Sequence, residues 1–173
     1  MKTDLFGSRP LPVEKVSVLF VCTGNICRSP TAAGVFRKLV SEAGLEERIQ
    51  VDSAGTHDYH LGHAADARAA YVALGRGYDL SLHRARKLEK PDFHRFDLII
   101  AMDEGHHAHM ARLAKPSDAH KIRMMMEFAR RYPGLRAVPD PYYGGPEGFE
   151  QVLDMLEDAA AGLLESIRGS LPG

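Results

Sequence analysis

The sequence predicts an α/β domain built on a four-stranded parallel sheet flanked by helices. Short apolar runs alternate with segments whose apolar residues recur at helical spacing. This alternation is typical of a parallel sheet that is covered by helices on both faces. The chain has 173 residues, a length that fits one domain with a substantial core.

The first strand is predicted at Val16–Val21, an apolar run rich in β-branched residues that suits a strand buried on both faces. Thr23, Gly24 and Asn25 then interrupt the pattern, and Gly and Asn are the residues that best tolerate positive φ. A helix follows over Pro30–Ala43, because proline suits a first helical position and the apolar residues after it share one face. The stretch therefore predicts a strand, a tightly curled loop and a helix.

Further strands and helices follow in the same alternation. The remaining strands are predicted at Ile49–Ala54, Asp97–Met102 and Lys121–Phe128, the last of which runs into a turn. The remaining helices are predicted at Asp66–Gly75, after a capping Asp103, and from Phe149 to Ile167. Pro133–Gly148 is rich in Pro and Gly and is predicted to be a long loop.

This order of elements predicts one three-layer domain, Rossmann-like or flavodoxin-like, over residues 16–173, with a loose arm at residues 1–15. In such sheets ligands bind beyond the carboxyl ends of the strands, near a topological switch point. Cys22 follows the first strand and Ser53 lies near the end of the second. We therefore expect the functional site at that edge of the sheet.

The loop after the first strand carries the residues expected of an anion-binding catalytic site. Curled backbone directs successive N–H groups into one concavity, and the helix N-terminus adds unsatisfied donors. Arg28 can offer two parallel N–H groups to phosphate oxygens, and Cys22 sits where the same positive field favours a thiolate. Ser29 can donate a hydrogen bond to the Cys22 sulfur. Besides Cys22 and Arg28, the expected phosphate-binding loop comprises Thr23, Gly24, Asn25, Ile26, Cys27 and Ser29.

Composition argues against several other classes of protein. The 22 Lys and Arg residues nearly balance the 23 Asp and Glu residues, so bulk charge predicts neither a nucleic-acid partner nor a membrane-surface partner. Both cysteines lie in the loop, which is neither a disulfide framework nor the spacing of a zinc site. A functional thiol needs a reducing compartment, so we expect the cytoplasm. Residues 1–15 lack the apolar core of a signal peptide, and no run reaches transmembrane length.

Four stretches of the chain resemble a known family. Residues 21–30, Val-Cys-Thr-Gly-Asn-Ile-Cys-Arg-Ser-Pro, are similar to the active-site loop of the low-molecular-weight protein tyrosine phosphatases. Residues 51–56 (Val-Asp-Ser-Ala-Gly-Thr), 81–86 (Ser-Leu-His-Arg-Ala-Arg) and 140–143 (Asp-Pro-Tyr-Tyr) match further motifs of that family in the same order. The resemblance covers roughly Val16 to Ile167.

The resemblance implies a protein-tyrosine phosphatase that hydrolyses phosphotyrosine and other aryl phosphates through a cysteinyl phosphate. Cys22 would be the nucleophile, Arg28 would hold the phosphate and Asp140 would protonate the leaving phenolate. The resemblance also implies a network that supports the loop, formed by Asn25, Ser29, Ser53 and His83. It further implies a substrate slot lined by Tyr59, Tyr142 and Tyr143. No metal or cofactor is required. The expected partners are tyrosine-phosphorylated proteins, and we expect a monomer with at most weak self-association.

Other functions are compatible with parts of the pattern. Arsenate reductases share the fold and loop, but they relay a disulfide through cysteines further along the chain. A phosphotyrosine-binding module would not need Cys22, Arg28 and Asp140 together, and a flavin-binding module would be coloured when purified. Relatives acting on phosphoarginine tend to carry Thr in place of Ile26 and to lack the tyrosine pair, so the sequence favours aryl phosphates. Many relatives have an apolar residue where this chain has Thr23.

Two groups of histidines stand outside this chemistry. The loop histidines could bind a metal ion, but no cysteine or clear carboxylate set accompanies them, so we expect none there; they are His57, His60 and His63. The second group lies on the helix after the third strand and is expected to form a solvated polar face; it consists of His106, His107 and His109.

Cys22 and Cys27 are separated by four loop residues. If the loop curls, their sulfurs come close enough to bond, and we hypothesise a reversible disulfide after peroxide treatment. The alternative is that Cys27 is only a small packed residue.

Overall fold

Four parallel strands form one sheet in the computed structural model, which describes residues 15–171. They are β1 (Val16–Cys22), β2 (Ile49–Gly55), β3 (Leu98–Ala101) and β4 (Ile122–Met124), and they lie across the sheet in the order β2-β1-β3-β4. This is the flavodoxin-like order, with its switch point between β1 and β3. The predicted fold class is therefore confirmed. Of the predicted arm, all but Lys15 lies outside the described residues.

Helices connect the strands and cover both faces of the sheet. The α-helices are α1 (Arg28–Glu42), α2 (Ala67–Gly75), α3 (Asp92–Arg95), α4 (Glu104–Leu113) and α5 (Pro146–Ser170). Two 3₁₀ helices, Pro116–Lys121 and Met125–Phe128, flank β4.

Most predicted elements differ from the structure by one to three residues at an end, and the larger errors lie in the second half of the chain. The fourth strand ends at Met124, because the rest of the predicted segment turns into a 3₁₀ helix. The predicted loop Pro133–Gly148 is too long, since α5 already begins at Pro146, a residue that suits the first helical turn. Neither α3 nor the first 3₁₀ helix was predicted, because elements this short show no apolar periodicity.

Two apolar cores lie on opposite faces of the sheet. On one face, α1 and α5 pack against β1, and the rings of Phe20 and Phe36 meet edge to face with centroids 5.5 Å apart. On the other face, Leu19 and Ile99 pack with Met110 of α4. A central strand covered on both sides needs apolar residues at nearly every position, which explains the unbroken run in β1.

The sheet register brings three chain segments to one edge. Cys22 at the end of β1 pairs with Gly55 at the end of β2, and Val21 pairs with Ala101 at the end of β3. The loops that leave these three strands therefore lie side by side. Within residues 15–171, no helix combines the length and hydrophobicity needed to cross a membrane.

Candidate active site

The loop between β1 and α1 is curled around Asn25, the one described non-glycine residue with positive φ, at 58°. The Asn25 amide nitrogen donates to the hydroxyls of Ser29 at 2.8 Å and Ser53 at 2.9 Å, and its amide oxygen accepts from the Arg86 backbone N–H. His83 Nε2 lies 2.6 Å from the Asn25 carbonyl oxygen and donates to it. Asn25 is fully buried, so these four contacts hold a conformation that L-residues rarely adopt.

The second strand contributes close packing as well as a hydrogen bond. A Cβ atom on Gly55 would lie 2.7 Å from the Thr23 carbonyl oxygen and 3.1 Å from the Asn25 nitrogen. The loop can therefore pass the end of β2 at this distance only because residue 55 is glycine. All four residues of the expected supporting network meet here.

Cys22 lies at the floor of the curled loop and is buried. Its Sγ is 2.9 Å from the Ser29 hydroxyl oxygen. Because Asn25 already donates to that oxygen, the single Ser29 hydroxyl proton remains available for the sulfur. The backbone carbonyl of Ala54 is a more distant acceptor, at 3.4 Å. The Cys22 sulfur therefore accepts the hydrogen bond from Ser29.

Arg28 begins α1 and is held from two sides. Its Nη1 donates to Asp103 Oδ2 at 2.9 Å and to the Val138 carbonyl at 3.0 Å, and its Nη2 lies 3.7 Å from Asp140 Oδ2. The Arg28 side chain is only 4% exposed. Two anchors on one nitrogen fix the orientation of the guanidinium plane and leave its other N–H groups available for a ligand.

The role of Asp103 was underestimated from the sequence, which indicated only a helix cap. The carboxylate does cap α4, since Oδ1 accepts from the His106 backbone N–H at 3.0 Å. Burial disfavours the ionised form, but hydrogen bonding from that N–H and the charges of His106 and Arg28 together hold the pKa of Asp103 below its ordinary value. The signal available in the sequence is position, because Asp103 follows β3, the neighbour of β1.

The prediction of a solvated histidine face on α4 was wrong for His106, which is 4% exposed. This side chain packs against the curled loop, and its Nε2 lies 2.8 Å from the Thr23 hydroxyl. Its Nδ1 lies 3.1 Å from Asp103 Oδ1 but lacks hydrogen-bond geometry to any described residue. Burial, with the nearby Arg28 charge, lowers the pKa of His106 to about 4, so the ring is neutral at pH 7. His107 and His109 remain partly exposed.

A slot of about 130 Å³ opens above the Cys22 sulfur. Its lining includes the predicted Tyr59, Tyr142 and Tyr143, together with Asp140. The Tyr142 backbone N–H donates to Asp140 Oδ1 at 3.0 Å, which orients the half-exposed carboxylate at the rim. Two of the lining rings are largely exposed to solvent, since Tyr59 is 66% and Tyr143 is 92% exposed.

One lining residue was not predicted as part of the slot. His60 lines it from the loop after β2, close to Gly24 and with its ring centroid 6.1 Å from that of Tyr142. An isolated loop histidine carries no periodic signal, and its position depends on the fold. Among residues 15–171, no three His, Cys, Asp or Glu side chains are grouped so that they could hold one metal ion.

Comparisons with known proteins agree with this geometry. The family model described as "Low molecular weight phosphotyrosine protein phosphatase" matches residues 17–171. The low molecular weight protein-tyrosine-phosphatase of Streptomyces coelicolor is 46% identical over 158 residues, which cover 90% of this chain and 96% of that protein.

Two solved structures are also similar. A protein tyrosine phosphatase from Entamoeba histolytica, solved with Hepes in its active site, is 40% identical with a TM-score of 0.86, covering 89% of this chain and 97% of that one. Vibrio vulnificus Wzb, solved in complex with benzylphosphonate, is 29% identical with a TM-score of 0.75, covering 87% of this chain and 97% of that one.

Proposed function

The chain belongs to the low molecular weight phosphotyrosine protein phosphatase family and is a protein-tyrosine phosphatase, and we propose that Cys22, Arg28 and Asp140 carry its reaction. The observation that supports this assignment best is that the three residues line one slot, although Asp140 lies far along the chain from the other two. A thiol, a guanidinium and a carboxylate facing one small cavity supply a nucleophile, an anion clamp and an acid.

In the first step the Cys22 thiolate attacks phosphorus. An S–P bond forms as the bond between phosphorus and the phenolic oxygen breaks, and the phenolic oxygen takes a proton from Asp140. A phenolate needs this proton because phenol has a pKa near 10. Asp140 is suited to this role because it lies at the rim, where the departing oxygen leaves the slot.

In the second step water attacks the cysteinyl phosphate. Asp140, now ionised, takes a proton from that water, and the S–P bond breaks to release inorganic phosphate and the thiolate. Ser29, with its hydroxyl 2.9 Å from Sγ, stabilises the departing sulfur by donating a hydrogen bond. Neither step changes an oxidation state.

Arg28 and the curled loop stabilise the transition state between these species. The equatorial phosphate oxygens carry the charge in that state, and preorganised N–H donors act on it without reorganising. The anchoring of Arg28 by Asp103 and Val138 supports this role, because a guanidinium already fixed in place need not be ordered during the reaction.

The slot favours an aryl phosphate as substrate. Tyr59 and Tyr142 offer aromatic surface to a flat ring, and the burial of Cys22 in the same slot favours a phosphate on a long aromatic stem over one on a short serine stem. The benzylphosphonate bound by Vibrio vulnificus Wzb has the same combination of ring and phosphorus group. We therefore propose tyrosine-phosphorylated proteins as substrates, a monomeric enzyme, and the cytoplasm as its compartment because a catalytic thiol must stay reduced.

The assignment is tested by trapping the intermediate. Wild-type protein is mixed with an aryl phosphate and quenched in acid within the first turnover, and peptides are mapped by mass spectrometry. We expect a phosphate on the peptide that contains Cys22 and none in Cys22→Ser, which keeps the fold but lacks thiolate character. Phosphate on another residue, or appreciable turnover by Cys22→Ser, would contradict the proposal.

A further inference from the structure

A row of rings leads from the slot to the outer face of α4. Tyr59, which lines the slot, stacks on His57 with centroids 5.0 Å apart and an interplanar angle of 11°. His57 in turn meets His109 of α4 with centroids 5.4 Å apart. The loop end of this row is fixed, because the His57 backbone N–H donates to the Thr23 carbonyl at 3.0 Å. The row is thus attached to the phosphate-binding loop.

Two exposed cations lie beside this row: Arg112 is about one helical turn from His109 on α4, and the backbone of Lys87 pairs with Gly55, two residues before His57. Burial lowers the pKa of His109, and the nearby charges of His57, Arg112 and Lys87 lower it further. Among the described residues no carboxylate contributes to that shift, and neither Lys87 nor Arg112 forms an ion pair. We call these four residues, His57, Lys87, His109 and Arg112, the basic patch.

The basic patch gathers positive charge on a chain whose overall charge is close to zero. Several arginines elsewhere on the surface are paired with carboxylates, as Arg76 is with Glu150 and Asp154, and Arg136 is with Glu104. The acidic residue nearest to the patch in sequence is Asp58, which is exposed between His57 and Tyr59. It does not contribute to the shift in the pKa of His109.

The patch lies within reach of a substrate peptide held in the slot. The two ring separations place His109 no further than about 10 Å from the Tyr59 ring. An extended peptide advances about 3.3–3.6 Å per residue, so side chains two or three positions away from the phosphotyrosine extend over the patch.

We propose that the basic patch is a subsite for an acidic residue that flanks the phosphotyrosine of the substrate. This inference rests on the proposed function and names the class of peptide that the same slot prefers. A carboxylate bound beside His109 meets two cations that form no ion pair with a described residue, and the His109 imidazole can donate a hydrogen bond to it.

The subsite strengthens as the pH falls. His109 is faced by His57 from the loop, by Lys87 from the segment beside β2, and by Arg112 one turn further along α4. Burial, and then these cations, hold the pKa of His109 below the ordinary 6.5, and a bound carboxylate opposes them by favouring the charged ring. Binding of an acidic residue is therefore linked to proton uptake.

The test compares matched phosphotyrosine peptides that carry either Glu or Gln two and three positions from the phosphotyrosine, on each side in turn. The quantity measured is the ratio of kcat/KM for the Glu peptide to that for the Gln peptide, with both peptides assayed under the same conditions. We expect a ratio of roughly three- to tenfold for one of the two sides at low salt. It should increase from pH 7.5 to pH 5.5 and fall towards one in 0.5 M salt, on the order expected from screening.

The variant Lys87→Gln/Arg112→Gln should bring the ratio close to one while leaving kcat/KM for the Gln peptide unchanged. The matched control is Arg131→Gln/Arg168→Gln, which removes the same charge beside α5 on the opposite face of the sheet and should keep the ratio. Equal ratios in wild type and the Lys87/Arg112 variant, or equal losses in the control, would overturn the subsite alone. Failure to hydrolyse any of the peptides would overturn the proposed function and this inference together.

Discussion

The hydroxyl of Thr23 lies 2.8 Å from Nε2 of His106, and this contact joins the phosphate-binding loop to α4. Three residues before His106, Asp103 holds the guanidinium of Arg28 at the other end of the same loop. Both ends of the loop are thus anchored on the first turn of one helix. The polar residue at position 23, which stood out in the sequence, has a buried partner.

The first prediction concerns the Thr23–His106 contact. Thr23→Val and His106→Gln each remove it, so each should lower the free energy of unfolding by roughly 1 kcal/mol. The double variant should lose less than the sum of the two, because the second substitution has no contact left to remove. Urea denaturation of the four proteins measures this coupling. His107→Gln, on the same helix but partly exposed, is the control and should change little; strict additivity would mean that the contact contributes nothing.

The second prediction is a pH dependence of stability. Burial lowers the pKa of His106 from 6.5 in the unfolded chain to about 4, so the unfolded chain binds more protons between these values. The contribution of the neutral ring to the free energy of unfolding is therefore complete above about pH 6.5, and it is lost as the pH falls to about 4. This contribution is at most about 3 kcal/mol. His106→Gln should flatten the stability curve in this window. A curve with the wild-type slope would show that another group is responsible.

The third prediction concerns the shape of the cation at residue 28. Lysine at this position cannot bind Asp103, the Val138 carbonyl and a phosphate at once, because a point charge lacks the planar fork of arginine. Arg28→Lys should therefore lower kcat by about 10²–10³-fold, the usual cost of losing one transition-state donor. Steady-state kinetics on an aryl phosphate measures this. Arg37→Lys is the matched control: within residues 15–171 Arg37 donates a hydrogen bond only to the Val51 carbonyl, so this variant should keep wild-type activity.

The fourth prediction is a protective disulfide. Peroxide converts the Cys22 thiolate to a sulfenic acid, which the Cys27 sulfur attacks with loss of water to form the disulfide. Burial, then the Asp66 and Cys22 charges, raise the pKa of the Cys27 thiol, so this attack should become faster as the pH rises. Mass spectrometry after peroxide treatment should find the disulfide in wild type. In Cys27→Ala, Cys22 should instead reach the sulfinic acid, and equal recovery of both proteins by added thiol would argue against protection.

The central part of the fold was predictable because its signals are local. Val16–Cys22 is apolar throughout, and the residue types that favour positive φ and helix starts follow it within a few positions. The positive φ of Asn25 is the direct expression of that pattern. The short 3₁₀ helices were not predictable, since their conformation depends on packing against the sheet and not on their own periodicity.

The groups that hold Arg28 and the curled loop in place were harder to predict, because they come from distant parts of the chain. The Val138 carbonyl is 110 residues away from Arg28, and a backbone acceptor leaves no trace in the residue type. His106 looked like one member of a polar run, and only the approach of α4 to the curled loop buries it. Asp140 was assigned from family resemblance, since an Asp before Pro is an ordinary turn residue.

The most direct test of the account is the burst phase of Asp140→Asn on two substrates. General acid catalysis contributes about 10²–10⁴-fold, and its value depends on how strongly the leaving oxygen needs a proton. The burst rate with phosphotyrosine should fall within that range, whereas an aryl phosphate with an acidic phenol should be affected much less. Measuring the burst separates the first step from breakdown of the cysteinyl phosphate. If both burst rates fall equally, Asp140 only positions the loop or the substrate, and another group must supply the proton.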